Sequence, residues 1–125
     1  MSDMMIVLVN GEALIEYDRS RPLSGKQQEY LDLMDQKMDT GIKLGSEMVV
    51  TPSQQQRAQY VAFTLLSGIK QDDEAVIAAM CSYLADRFPE LKQIKADIDD
   101  KGEKMMFDLI FDQEHKNQVK VSFNA

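Results

Sequence analysis

The sequence predicts an α+β fold in which an N-terminal β-hairpin and a C-terminal three-stranded antiparallel meander flank three α-helices. Three observations predict it. They are an Asn10-Gly11 dipeptide between two apolar runs, apolar residues at helical spacing through the centre of the chain, and alternating apolar residues after Pro89. Because helices and sheets each bury an apolar face, we expect the helices to pack on one face of an antiparallel sheet.

The N-terminal hairpin, from Met5 to Tyr17, is organised by its turn. Asn and Gly readily adopt the positive φ angles of a two-residue hairpin turn, so Asn10-Gly11 marks the turn. The pairs beside the turn are then Val9 with Glu12 and Leu8 with Ala13. Alternation predicts that one face carries Ile6, Leu8, Ala13, Ile15 and Tyr17.

The first helix is expected to run from Ser24 to Thr40. Ser24 and Gln27 have the spacing of a capping box, and Gly41 suits the left-handed residue that ends many helices. The predicted apolar stripe of this helix is Tyr30, Leu31, Met34 and Met38. The acids that should face water are Glu29, Asp32, Asp35 and Asp39. We expect residues 42–50 to be a gap in which Met48–Val50 is a candidate short strand.

Two consecutive apolar helices fill Thr51 to Phe88. Thr51 is the expected cap of the first, with Pro52 at its first helical position and Gln54 closing a capping box. The second should begin at Asp72 or Asp73 and end before Pro89. Its apolar run from residue 75 to residue 81 is too wide for a helix with one wet side, so we expect cover on two sides.

After Pro89 the apolar residues recur at every second position, which predicts three strands. Their turns should lie at Asp99–Glu103 and Gln113–Gln118. Whether the hairpin and the meander form one five-stranded sheet stays open at this point. No repeat or linker divides the chain, so residues 1–125 are predicted to be a single α+β domain.

Composition limits the function. The net charge is -7 and the pI is about 4.6, so the chain should repel nucleic acid and anionic membrane surfaces. One cysteine excludes an internal disulfide, and nine methionines suit a reducing compartment. The N-terminus lacks the basic region of a signal peptide, and no apolar run reaches membrane-span length. We therefore expect a cytoplasmic protein.

No constellation predicts a catalytic residue, a metal ligand set or a bound cofactor. Asp97–Gly102 resembles part of a calcium loop, but Lys101 stands at a ligand position and the flanks are strands, so an acidic turn is the better interpretation. Cys81 lies within an apolar helix without a neighbouring histidine, which favours a structural thiol. His115, the only histidine, lies in a polar turn.

Two groups of residues are candidate binding sites. Arg19, Arg21 and Lys26 lie beside the free amides that begin the first helix, where a small anion or a partner's carboxylate would bind. The alternative is a solvated connector with weak surface ion pairs. The second group, Arg57, Tyr60 and Tyr83, would form the rim of a pocket between the central helices and the sheet. Its alternative is core packing.

We expect a non-enzymatic protein-interaction or regulatory module that self-associates as a homodimer or binds another protein. Abundant apolar helix surface and flexible methionines favour this function. The alternative is a small-molecule-binding or enzymatic domain that uses the helix–sheet pocket. A weaker alternative is an acidic mimic of nucleic acid that occupies a basic partner. No stretch of the chain carries a recognisable family motif.

Overall fold

The computed structural model describes residues 4–101 and 104–111 and the backbone of residues 119–124. Its elements in chain order are β1 (Met4–Val9), β2 (Glu12–Asp18), α1 (Gly25–Asp39), β3 (Ile42–Leu44), β4 (Glu47–Val49), α2 (Gln54–Gln71), α3 (Glu74–Arg87), β5 (Leu91–Ile98), β6 (Lys104–Phe111) and β7 (Val119–Asn124). The predicted α+β class with three helices is confirmed.

The chain groups into two compact units. One contains Met1–Ser20 together with Leu84–Ala125, and the other is the continuous stretch Arg21–Tyr83. The first unit therefore holds the large sheet, and the second holds α1, the β3–β4 ribbon, α2 and most of α3. A single domain over residues 1–125, with helices packed on one sheet face, stays a prediction.

The hairpin and the C-terminal strands form one five-stranded sheet with the order β2-β1-β5-β6-β7. The β1–β2, β5–β6 and β6–β7 pairs are antiparallel, whereas β1 and β5 are parallel. The predicted antiparallel sheet is therefore wrong, and the sheet is mixed. Side-chain alternation is the same in parallel and antiparallel strands, so it did not distinguish the two.

Asn10 extends the parallel β1–β5 pairing beyond the end of β1. Its backbone N–H donates to the carbonyl of Ala96 at 2.8 Å. Its side-chain Nδ2 donates to the Ile98 carbonyl at 3.2 Å, and its Oδ1 accepts from the Ile98 N–H at 2.9 Å. The turn residue thus has two roles, since it also adopts the predicted positive φ of 53°.

The hairpin register near the turn is confirmed, because Val9 pairs with Glu12 and Leu8 with Ala13. A β-bulge then shifts the register: Val7 pairs with Ile15, which leaves Leu14 as the extra residue on β2. The predicted face is wrong beyond this bulge. The buried face of β1 carries Met5 and Val7, with Tyr17 and Ile15 as their partners, and not Ile6 and Leu8.

Helix α2 begins two residues later than predicted. Ser53, not Thr51, is the N-cap: its hydroxyl accepts from the Gln56 N–H at 3.2 Å, and Gln56 Oε1 accepts from the Ser53 N–H at 2.8 Å. This reciprocal pair satisfies two amides at once. Pro52 therefore lies outside the helix and is buried. In contrast, the Ser24–Gln27 capping box of α1 is confirmed.

The α2–α3 connection is short. Asp72 ends α2 with a left-handed φ of 57°, and the carboxylate of Asp73 accepts from the Val76 N–H at 3.3 Å at the start of α3. The two helices approach closely at Gly68, where an added Cβ would lie 2.9 Å from Val76 Cγ1. Residues 42–50 are not a gap: β3 and β4 form an antiparallel ribbon in which Ile42 pairs with Val49.

Apolar side chains supply the buried core in both units. In the described residues of the sheet unit the buried set includes Met5, Val7, Ile94, Ala96, Met105, Phe107 and Leu109. In the helical unit it includes Leu31, Met38, Ala58, Val61, Ala62, Leu65, Leu66 and Cys81. None of the described helices combines the length and the apolar character that a membrane span requires.

Candidate functional site

The helical unit carries a groove of about 250 Å³ between α1 and α3. Its α3 side is formed by small side chains at positions three and four apart, which share one face of a helix. Its α1 side contains one aromatic ring and one cation. The residues that line it are Lys26, Gln27, Tyr30 and Leu31 of α1, with Ala78, Ala79 and Ser82 of α3.

Two large apolar side chains lie on the exposed side of α1, and one of them, Tyr30, lines the groove. Tyr30 is 50% exposed and Leu33 is 53% exposed. The expectation that Tyr30 belongs to a buried stripe is therefore wrong. Leu31 and Met38 occupy the centre of the buried face, and Tyr30 lies about 100° from Leu31 around the helix axis. Tyr30 consequently forms the wall of the groove.

Helix α3 is covered unevenly along its length. Most side chains from Met80 to Ala85 are buried, but Ala75 and Ala78 are exposed and Ala79 is half-buried. The expectation of cover on two sides thus fails for the N-terminal half of α3 in this chain. Of the α3 side chains that line the groove, Ala78 is exposed, so another molecule could reach it.

The three cationic residues of the first candidate site have different surroundings. The Arg19 guanidinium donates to the Phe88 carbonyl at 3.2 Å within the sheet unit. Arg21 is exposed in the helical unit, and Lys26 lines the groove. The Gln27 amide is already bonded to Ser24 through the capping box. Of these three residues, Lys26 is therefore the one that lines the groove. Anion binding at this site stays a prediction.

A polar cluster lies deeper in the same unit. The Arg57 guanidinium of α2 donates from Nη1 to Oδ1 of Asp35 at 3.1 Å and from Nη2 to Oδ1 of Asp39. Nη1 also donates to the backbone carbonyl of Asp35 at 3.3 Å. From α3, the Tyr83 hydroxyl donates to the same Asp35 oxygen at 2.5 Å. Three helices thus share one set of hydrogen bonds.

The side chain of Arg57 is only 13% exposed, and its charge is held by this cluster. The hydrogen bond with Asp39 raises the pKa of Arg57, and burial opposes that rise. Within the described residues, the buried Nε of Arg57 has no hydrogen-bond partner. A charge-assisted network of this kind fixes helix positions, because removal of one member leaves a buried charge without a partner.

Of the predicted pocket rim, the structure brings together Arg57 and Tyr83 but not Tyr60. Tyr83 is completely buried, so it does not stand on an open rim. Tyr60 is partly exposed, and its backbone carbonyl accepts from the Thr64 hydroxyl. Asp35 was missed, since it was expected to face water. Asp35 lies four residues after the buried Leu31 and therefore on the same face of α1. This spacing is the feature of the sequence that could have indicated a partly buried position for Asp35.

The described residues give no support for a metal site or for a reactive Cys81. No group of three or more His, Cys, Asp or Glu side chains in this part of the chain could hold a metal ion. Burial raises the pKa of Cys81 to about 12, so its thiol stays protonated and weakly nucleophilic. Asp97 and Asp99 are exposed near the β5–β6 turn. Gly102 and His115 lie outside the described residues.

Comparison with known proteins adds no assignment to this geometry. The chain matches no protein-family model, no curated protein and no solved structure.

Proposed function

We propose that the chain is a non-enzymatic, intracellular protein-interaction module that associates with a second copy of itself. The observation that carries this proposal is the pairing of an exposed apolar ridge with an adjacent recess. Tyr30 and Leu33 are both about half exposed, Tyr30 lines the groove that contains Ala78 and Ala79, and Leu33 lies three residues further along α1. Large apolar side chains at half exposure lose unfavourable contact with water when a partner covers them.

Self-association can be measured by sedimentation equilibrium over a dilution series. We expect a monomer–dimer equilibrium for the native chain. Leu33→Asp should shift it towards monomer, because burying an uncompensated carboxylate at an interface is costly. Met106→Asp is the matched control, since Met106 is 56% exposed on β6 of the sheet unit and lies outside the groove. A native chain that stays monomeric throughout would overturn the proposal.

The second candidate function is binding of a small anion that carries an apolar chain, and it is favoured by Lys26 among the residues that line an apolar groove. The volume of about 250 Å³ falls below the range of about 300–1,000 Å³ usual for ligand pockets, which places this function second. Octanoate titrated against the native chain tests it by amide chemical shifts. Saturable shifts at Ala78 and Ala79, absent in Lys26→Gln, would favour it; unchanged shifts would exclude octanoate-like ligands.

A further inference from the structure

We infer that two copies of the chain meet with their α1 helices antiparallel about a two-fold axis between Gln27 and Gln28, so that Lys26 of each copy faces Glu29 of the other. This inference rests on the proposed self-association and specifies the surface through which the two copies bind.

Shape is the first reason to choose a second copy as the occupant. A two-fold interface uses the same patch on both molecules, so that patch must carry both a projection and a recess. The α1–α3 surface carries both: Tyr30 and Leu33 project from α1, and Ala78 and Ala79 form the recess. The ridge of one copy can therefore enter the groove of the other while its own groove receives the second ridge.

Charge is the second reason. The net charge of -7 repels a second copy at most of the surface, so the contact requires local compensation. Lys26 is the cation that lines the groove, and Glu29 lies three residues later on the exposed side of α1. When the two-fold axis lies between Gln27 and Gln28, Lys26 and Glu29 are each ~2 Å from it along the helix, on opposite sides, so each Lys26 lies opposite the Glu29 of the other copy. Two equivalent Lys26–Glu29 pairs then form across the axis.

The sheet offers a poorer surface for the same purpose. In the described part of the chain, β2 is an outer strand of the large sheet. It carries Glu12, Glu16 and Asp18, and the bulge at Leu14 interrupts its regular pairing. Charges and bulges are the features that prevent edge-to-edge pairing of natural sheets. Antiparallel pairing of two β2 strands would bring carboxylates together, so the helical surface is the better choice.

The test is reciprocal charge reversal, measured as a dimer dissociation constant by sedimentation equilibrium at low salt. Lys26→Glu alone places two carboxylates against each other at both equivalent contacts, and Glu29→Lys alone places two ammonium groups against each other at both. Each variant should therefore weaken association about tenfold. An equimolar mixture of the two variants forms mixed dimers with only opposite-charge pairs across the axis. The mixture should recover association to within about threefold of the native chain, and high salt should reduce the differences.

Lys43→Glu and Glu47→Lys are the matched controls. Both residues are exposed on the β3–β4 ribbon, and the substitutions change the net charge by the same amounts. We expect the two controls, alone or mixed, to associate within about threefold of the native chain. If the chain dimerises but the Lys26 and Glu29 variants behave like the controls, this surface is wrong and the proposed self-association still stands. If the native chain does not associate, both proposals fail.

Discussion

The hydroxyl of Tyr83 and the carboxylate of Asp35 form a 2.5 Å hydrogen bond between residues 48 positions apart in the chain. Because Arg57 donates to the same carboxylate oxygen, Asp35 joins α1 to both other helices of its unit. Tyr83 is completely buried, so its hydroxyl has no access to water when this bond is broken. The bond should therefore contribute measurably to stability.

Tyr83→Phe should lower the free energy of unfolding by about 2 kcal/mol, the usual contribution of a hydrogen bond to a charged group. Urea denaturation followed by circular dichroism measures this. Tyr60→Phe is the matched control, because the same atom is removed from a partly exposed side chain, and it should stay within about 0.5 kcal/mol of the native chain. Equal losses in both variants would contradict a special role for the Tyr83–Asp35 bond.

Gly68→Ala should destabilise the chain by about 1 kcal/mol, although alanine is the better helix former. The reason is the 2.9 Å approach that a Cβ at this position would make to Val76 Cγ1. Thermal and urea unfolding measure the change.

A double variant tests that cause. In a Val76→Ala background the obstructing methyl group is absent, so adding Gly68→Ala should become neutral or stabilising. Gly25→Ala provides a control in which no atom lies within 4 Å of the new Cβ, and it should not destabilise the chain. An equal loss from Gly68→Ala in both backgrounds would show that another contact is responsible.

Two substitutions at Asn10 should separate its side-chain bonds from its backbone conformation. Asn10→Gly removes the two bonds to Ile98 but tolerates the φ of 53°, and we expect a loss of about 1 kcal/mol. Asn10→Ala also strains the left-handed backbone, so its loss should exceed that of Asn10→Gly by about 1 kcal/mol. Urea unfolding of both variants measures the difference. An alanine variant as stable as the glycine variant would contradict this division.

Alkaline pH should destabilise the chain partly through Cys81. Burial raises the pKa of this thiol from 9.0 to about 12, so the folded chain keeps a proton that the unfolded chain loses. The stability that the protonated Cys81 thiol contributes is therefore fully present below about pH 9 and is lost as the pH rises towards 12. Between these limits the native chain should lose up to about 1.4 kcal/mol per pH unit more than Cys81→Ala. Parallel slopes for the two chains would contradict a buried, protonated thiol.

Local chemistry explains why much of the fold could be predicted from the sequence. The Asn10-Gly11 turn, the Ser24–Gln27 capping box and the Asp73–Val76 hydrogen bond at the start of α3 each depend on residues within four positions of one another. Where two local signals compete, prediction is less precise. Thr51 and Ser53 both resemble caps, and the structure selects Ser53 because Gln56 can complete its capping box.

Long-range relationships could not be predicted in the same way. The parallel β1–β5 pairing and the bulge at Leu14 leave no distinctive local pattern, yet the bulge reverses the face of the residues beyond it. At the candidate site, Arg57 and Tyr83 were each selected from the sequence, but their shared carboxylate was not. Asp35 is expected to face water because acidic side chains usually do. Its ion pair with the largely buried Arg57 changes that preference.

The parallel pairing also sets an order of events during synthesis. Asn10 and Ile98, whose hydrogen bonds extend this pairing, lie 88 positions apart, and the whole helical unit is translated between them. The N-terminal hairpin therefore cannot pair with β5 until β5 has been synthesised. The continuous segment Arg21–Tyr83 is complete before then and can already fold. Since two-stranded hairpins are barely stable alone, the helical segment should acquire structure on the ribosome before the sheet is closed.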